Sequence, residues 1–346
     1  MKDLFDSCDF GDLKLNSRIV RTGLWESQRE PSGNFTPEIY DRYESIAASG
    51  VGLIITEVIS LYPHDVFSKY THTINFNRFV REAKDLTDLV HVYDVPIFAQ
   101  LGFVQYNKRT EQNMKSEDLS IDDIRKIQTE FIIAAQKIDY AGFDGIQIAL
   151  GNNYFLSRFI NPAFNSRNDK YGGNTLNRLR IVLEIIKVIK QNTSLHINCR
   201  LNAFDDSPDG MTIDETIEIA KLLEKHGADS LQITRPRSPQ FFTRNTENNP
   251  LIDATEKIIE EICIPVILGG GARNQNEINE LLNETDIDYI SMQRPFVADP
   301  SFLVDWQIKG EGESFCQACN NCYWKKTSTC HLKPCSPEYY KNSALK

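Results

Sequence analysis

Ile264-Pro-Val-Ile-Leu-Gly-Gly-Gly271 and, a short way on, Tyr289-Ile-Ser-Met-Gln-Arg294-Pro295 decide how this chain is read. Each is a short apolar run that opens into residues of a different kind, glycines in one case and an arginine in the other. Runs that are apolar at consecutive positions suit parallel strands covered on both faces. Working outward, similar runs occupy residues 18–21, 52–56, 96–101, 145–148, 195–201 and 230–234, which with 265–268 and 288–292 makes eight. Helical patterns lie between them. Ser120-Ile-Asp-Asp precedes a helix expected over 124–140, and Thr212-Ile-Asp-Glu215 is a capping-box pattern before a helix over 216–226, with Gly227 as its stop. Eight strands alternating with helices imply a TIM (β/α)₈ barrel, and 346 residues suffice for one with insertions. A doubly wound sheet would want a G-x-G-x-x-G turn after an early strand, and Gly269-Gly270-Gly271 has neither that place nor that spacing. The expected division is a barrel over 1–310 and a Cys-rich C-terminal extension over 311–346 packed on it.

Composition narrows the partners. A net charge of −10 argues against nucleic acid, whose phosphates want a basic face, so any anionic cofactor needs a local basic pocket. The start, Met1-Lys2-Asp3-Leu4-Phe5-Asp6, is unlike a signal peptide, and no apolar run approaches the ~20 residues of a membrane span. The stretch 51–61 contains Glu57 and reads as a buried strand plus loop. A cytoplasmic protein is expected, with no membrane partner and with homo-oligomerisation left open. Of eight cysteines, five fall between Cys316 and Cys335, crowding that suggests a metal or cluster site more than a disulfide framework.

In barrels the loops after strands seven and eight commonly form a phosphate site. Here they supply Gly270 and Gly271, whose N–H groups suit an anion, and Arg294, whose guanidinium fork matches a phosphate. The plainer alternative is that the glycines only turn the chain and Arg294 pairs with a surface carboxylate.

Longer motifs carry more. Phe10-Gly-Asp-Leu-Lys-Leu-Asn-Ser-Arg18-Ile-Val, Gly50-Val-Gly-Leu-Ile-Ile-Thr-Glu57, Phe98-Ala-Gln100-Leu and Ala141-Gly-Phe-Asp-Gly-Ile-Gln-Ile148 follow one another in register. So do Tyr154-Phe-Leu-Ser-Arg-Phe-Ile-Asn-Pro162 and Asn165-Ser-Arg-Asn-Asp-Lys-Tyr-Gly-Gly173-Asn-Thr-Leu-Asn-Arg178. Met292-Gln-Arg-Pro-Phe-Val-Ala-Asp-Pro300 and the trailing cysteines complete the series. On these residues the chain resembles the Old Yellow Enzyme family of NAD(P)H:flavin oxidoreductases. The resemblance implies FMN as cofactor, NAD(P)H as reductant, and a small-molecule acceptor such as an enone or quinone. It places Thr22, Gly23, Leu24 and Val58 along the isoalloxazine, Gln100 at the pyrimidine edge, and Arg200 near N1 and O2. Gly270, Gly271, Gln293 and Arg294 fall on the phosphate side. The residue types suit this: Gln100 both donates and accepts, and Arg200 would stabilise charge developing on a reduced flavin.

Three departures matter. The family's His-x-x-His/Asn pair, which hydrogen-bonds the substrate carbonyl, is here Ala149 and Asn152, with Tyr154 in the place of the proton-donating tyrosine. Losing one such donor typically costs ~10²–10³ in rate. Trp25 stands where relatives place smaller or hydroxylic residues, and either packs the core or stacks on substrate. Finally, Cys316, Cys319, Cys322 and Cys330 resemble the cysteine run of the dienoyl-CoA reductase branch. That leaves a [4Fe–4S] cluster, zinc or free thiols open, while no second flavin domain is expected to follow. The readings carried forward are an ene-reductase-like enzyme and a flavin barrel that has lost ene reduction. A flavin-free phosphate-binding lyase lacks a recognisable lysine or metal carboxylates.

Overall fold

In a computed structural model, residues 1–23, 34–62, 72–104, 106–107, 112–205, 207–235, 249–270, 272–323 and 330 are described. Two short strands, β1 (Cys8–Phe10) and β2 (Leu13–Leu15), pair antiparallel at the start. Then come β3 (Ile19–Arg21), α1 (Pro37–Ala47), β4 (Leu53–Ser60), α2 (Phe79–His91) and β5 (Ile97–Gly102). A small antiparallel pair, β6 (Tyr106–Asn107) and β7 (Gln112–Asn113), precedes α3 (Ile121–Tyr140), β8 (Gly145–Leu150), α4 (Phe155–Ile160) and α5 (Thr175–Asn192). The chain continues through β9 (His196–Asn202), α6 (Ile213–Lys225), β10 (Ser230–Thr234), α7 (Pro250–Ile259) and β11 (Val266–Gly269). It then forms α8 (Gln275–Glu284), β12 (Tyr289–Met292), α9 (Arg294–Ala298) and α10 (Phe302–Lys309). Strands β3, β4, β5, β8, β9, β10, β11 and β12 pair in that order, all parallel, and β12 closes back onto β3. This is the expected (β/α)₈ barrel.

Each of the eight expected runs carries one barrel strand. The largest difference is β4, which runs on to Ser60. Its register with β5 shifts between Ile55 and Val58, after which Val58, Ile59 and Ser60 resume pairing with Gln100, Leu101 and Gly102. Glu57 falls in that irregularity. Its carboxylate meets the equally buried His72 ring, so the charge that suggested a loop is satisfied inside. The Ser120 capping box forms with Asp123. At Thr212 only half of one forms: Thr212 caps Glu215 N–H, but the Glu215 carboxylate instead accepts from Arg178 and Thr175.

Strand alternation divides the interior in two. Ile54, Ile97, Leu268 and Ile290 face the helices in the larger core, while Leu53, Ile55, Phe98, Ile267 and Tyr289 gather on the inside of the barrel. The β1–β2 hairpin closes that inner cluster: Phe10, fully buried, stacks on the His196 ring at 5.2 Å and meets Tyr289 edge-on at 4.9 Å. Burying such a ring contributes roughly 1.5–3 kcal/mol. The sequence reading gave this hairpin no separate identity; Gly11, a turn residue flanked by alternating short strands, was the available signal.

The long motif over 165–178 is a self-bonded brace. Asn165 Nδ2 donates to the Phe159 and Tyr171 carbonyls at 2.6 and 3.0 Å, and Arg167 Nη1 to those of Ser116 and Leu119 at 2.6 and 2.7 Å. Asp169 is held below the usual carboxylate range first of all by its hydrogen bond from Arg167, and Tyr171 donates to Glu184 at 2.9 Å. Arg178 closes the brace on the Ile160 carbonyl and on Glu215. These residues join the segment after β8 to α5.

At the opposite end of the barrel, Asp144 Oδ2 accepts from Ile97 N–H and from the His91 ring, both at 2.8 Å, clipping β5 and α2 to the start of β8. That bond is the main reason the His91 pKa is raised. A raised folded pKa means the clip stabilises the protein fully below the unfolded imidazole value of about 6.5 and loses that contribution as pH rises through the folded value. Urea midpoints should therefore fall from pH 6 to pH 8 more steeply in the native chain than in His91→Gln. Equal slopes in the two proteins would remove the clip from the account.

Candidate active site at the C-terminal end of the barrel

Inside the barrel, between the apolar plug and the C-terminal rim, lies a layer of amides and hydroxyls. Register places Gln100 beside Gln147, Gln147 beside Asn198, and Asn198 beside Ser230. Gln100 Nε2 donates to Gln147 Oε1, and Gln147 Nε2 donates to Asn198 Oδ1 at 2.7 Å and Gln232 Oε1 at 2.9 Å. Gln232 Nε2 passes the bonding on to Ser291 Oγ at 2.8 Å and Thr22 Oγ1 at 3.0 Å, and Asn198 Nδ2 reaches Ser230 Oγ at 2.7 Å. His196 ends the chain on Ser230 at 2.8 Å; burial drops its pKa to about 4, so it is neutral at ordinary pH. Buried polar groups require this completeness.

Two residues further along each strand lies the rim. Ala149 sits in register beside Arg200, and Arg200 beside Gln232. A Cβ at Gly102 would stand 3.0 Å from Ala149 Cβ, 3.1 Å from Val58 Cγ2 and 3.5 Å from Tyr154 Cδ1, so these four residues ring one spot. Tyr154 reaches it from the tight turn after β8. Asn152 and Asn153 both adopt left-handed backbone, φ 55° and 58°, which asparagine tolerates better than most residues, and Tyr154 N–H returns to the Gly151 carbonyl at 3.3 Å. Asn152 N–H meets Asn202 Oδ1 at 3.4 Å.

Across the mouth, the ends of β11 and β12 adjoin. Gly269 is closely packed: a Cβ there would stand 2.3 Å from the Ile233 carbonyl oxygen. Gly270 follows with φ +92°, a backbone only glycine adopts freely. Gln293 donates to the Gly23 carbonyl, and Thr22 N–H to that of Met292 at 3.0 Å, tying the β3 end to β12. Arg294 opens α9, with Nη1 donating to Asn320 Oδ1 at 2.7 Å.

The expected residues Thr22, Gly23, Val58, Gln100, Ala149, Asn152, Tyr154, Arg200, Gly270, Gln293 and Arg294 thus converge on one end of the barrel. Leu24, Trp25 and Gly271 lie outside the described residues. Sequence reasoning missed Gln147, Asn198 and Gln232; the polar residues alternating through β9 and β10, and the lone glutamine in apolar β8, were the signal.

The metal site expected at Cys316, Cys319, Cys322 and Cys330 finds no support in the structure. Among the described residues no group of three or more Cys, His, Asp or Glu side chains is placed to hold a metal ion. Cys319 is exposed, and burial, with the neighbouring Cys316, pushes the Cys322 thiol up to about 11.

Residues 3–309 match the NADH:flavin oxidoreductase / NADH oxidase family, and the chain belongs to it. It is 27% identical over 326 residues to an NADH oxidase of Thermoanaerobacter brockii, covering 87% of this chain and 50% of that protein. It is 26% identical over 315 residues to an NADPH dehydrogenase of Bacillus subtilis, covering 87% of this chain and 93% of the relative. The chain therefore spans about half the length of some relatives and nearly all of others. In architecture it matches an old yellow enzyme homologue from Zymomonas mobilis, with a TM-score of 0.76 and 21% identity over 90% of this chain and 94% of that one. No helix among the described residues is long and apolar enough to cross a membrane.

The amide layer yields a test. Gln147→Leu would strip partners from Gln100, Asn198 and Gln232 at once, each buried loss costing ~1–3 kcal/mol, so unfolding stability should drop by about 3 kcal/mol or more. Gln147→Glu, of the same shape, should cost at least as much, because a carboxylate cannot donate to Asn198 and Gln232 and would bury a charge among acceptors. Chemical denaturation measures both, and a silent leucine variant would mean the layer is not a connected unit.

Proposed function

We propose that this chain is an FMN-dependent oxidoreductase that takes reducing equivalents from NAD(P)H and passes them to an electron-poor small molecule. The observation that carries the reading is the convergence of Gln100, Arg200, Gly270 and Arg294 around one barrel mouth. The donor set fits FMN. Gln100 offers an amide to the pyrimidine edge, Arg200 a cation where negative charge develops on reduction, and the Gly269–Gly270 turn and Arg294 a grip for one terminal phosphate. When bound, FMN supplies a two-electron hydride carrier between nicotinamide and acceptor.

What the chain's own residues do follows from the rim. Asn152 hydrogen-bonds the acceptor's oxygen, and Tyr154, hinged on its asparagine turn, gives the proton. Ala149 contributes only a methyl group beside Arg200, so the acceptor oxygen is polarised by one side-chain donor rather than two. That favours acceptors needing little carbonyl polarisation, such as quinones, over simple enones. It also keeps alive a second reading, a flavin or quinone reductase that has lost ene reduction.

Heat-released flavin should be FMN, and Arg294→Ala should weaken its retention by ~1.5–3 kcal/mol, the worth of a hydrogen bond to a charged group. Recovery of FAD, or of no flavin after reconstitution, would contradict the reading. Phenol ligands, which need two donors on one oxygen, should bind weakly, and Ala149→His should tighten them by about tenfold, or ~1.4 kcal/mol. Tight phenol binding by the native chain would mean another donor fills the missing place.

A further inference from the structure

The segment after α10 does more than trail from the barrel. It turns at Gly310, φ +71°, and passes hard against the preceding helix: a Cβ at Gly312 would stand 1.9 Å from Trp306 Cδ1. From there it is sewn to the loop after β11. Gln275 N–H donates to the Gly312 carbonyl at 2.9 Å, and Ser314 N–H to that of Arg273 at 2.8 Å. Glu313 pairs with Asn274 as an antiparallel bridge, and Arg273 Nη1 donates to the Cys316 carbonyl at 2.8 Å. The chain then coils tightly, with Ala318 and Asn320 both in left-handed backbone at φ 54° and 62°. A left-handed alanine is strained, and the surrounding bonds must offset that strain. The coil delivers the Asn320 carboxamide oxygen to Arg294 Nη1 at 2.7 Å, in a partly buried setting. Arg294 is close enough for its charge to act on the Cys322 thiol in the same coil.

We propose that Asn320 is a positioning residue for the cofactor's phosphate: the extension serves as a clamp that fixes the plane of the Arg294 guanidinium. The inference rests on the reading of Arg294 as the phosphate grip, and deepens it. A guanidinium on a flexible stem loses rotamer freedom when it binds an anion, and a neutral acceptor that holds its plane beforehand removes part of that cost. The acceptor has to be neutral. A carboxylate in the same place would hold the guanidinium equally well but would compete electrostatically with the incoming phosphate. Asparagine meets both requirements: it tolerates the left-handed backbone, and its amide oxygen accepts without a formal charge.

The experiment compares FMN with riboflavin, which lacks the phosphate, by fluorescence titration of the full-length chain after flavin removal. In Asn320→Ala the Kd for FMN should rise about tenfold, as for loss of a hydrogen bond to a charged group, while that for riboflavin stays the same. In Asn320→Asp, of nearly identical shape, it should rise more than in the alanine variant, again without change for riboflavin. Unchanged riboflavin binding also reports that the barrel is folded. Arg294→Ala separates the two levels of the argument. If Arg294→Ala leaves the FMN-to-riboflavin preference intact, the phosphate assignment itself fails. If it abolishes the preference while both Asn320 variants retain it, or if Asn320→Asp binds FMN as the native chain does, Asn320 has no positioning role. Equal losses for FMN and riboflavin in the Asn320 variants would make the coil a general structural element and overturn the proposal.

Discussion

The hydrogen bond from Gln100 to Gln147, with the two that Gln147 passes on to Asn198 and Gln232, is the constraint on which the mouth of this barrel depends. A closed barrel lets no bulk water reach its middle layer, so every amide placed there must find its partner among the strands. The three glutamines, one asparagine and neighbouring hydroxyls do so in one directional network that branches at Gln147. Gln100 Nε2 spends one of its two hydrogens on Gln147, so the plane of its amide is set by the neighbouring strand. The layer is also uncharged, since burial keeps His196 neutral.

The same rim shows what the chain gives up. Register puts Ala149 beside Arg200, within reach of the spot ringed by Val58, Gly102 and Tyr154. The strained double-asparagine turn brings Tyr154 to that side. Such strain persists only where surrounding structure over-determines it. Here the Gly151 carbonyl, Asn202 and α4 hold the turn. Under the proposed function the cofactor end and the proton-donating end are intact and the carbonyl-polarising end is halved.

Much of this was legible in the residues. The eight strands were, because consecutive apolar runs of that length have few other uses, and the barrel followed from their alternation with helices. Most rim residues were, through their places in family motifs. Other features were not, for physical reasons. Glu57 and Thr212 mark local patterns whose outcome depends on distant partners, His72 for one and Arg178 for the other. The β1–β2 hairpin is too short to register by periodicity, yet Phe10 plugs the barrel. The cysteine run suggested a metal through its crowding and its resemblance to the dienoyl-CoA reductase branch, with free thiols left open. Its backbone instead presents Asn320 to Arg294, a contact between residues 26 positions apart that no local pattern encodes.

Anaerobic stopped-flow of the FMN-loaded chain, with the two half-reactions followed separately, tests the central claim most directly. An intact cofactor end predicts rapid bleaching of the flavin by NADH or NADPH. A halved carbonyl site predicts slow recovery of colour with cyclohexenone and rapid recovery with a quinone. Recovery with cyclohexenone as fast as bleaching by the nicotinamide would contradict the account.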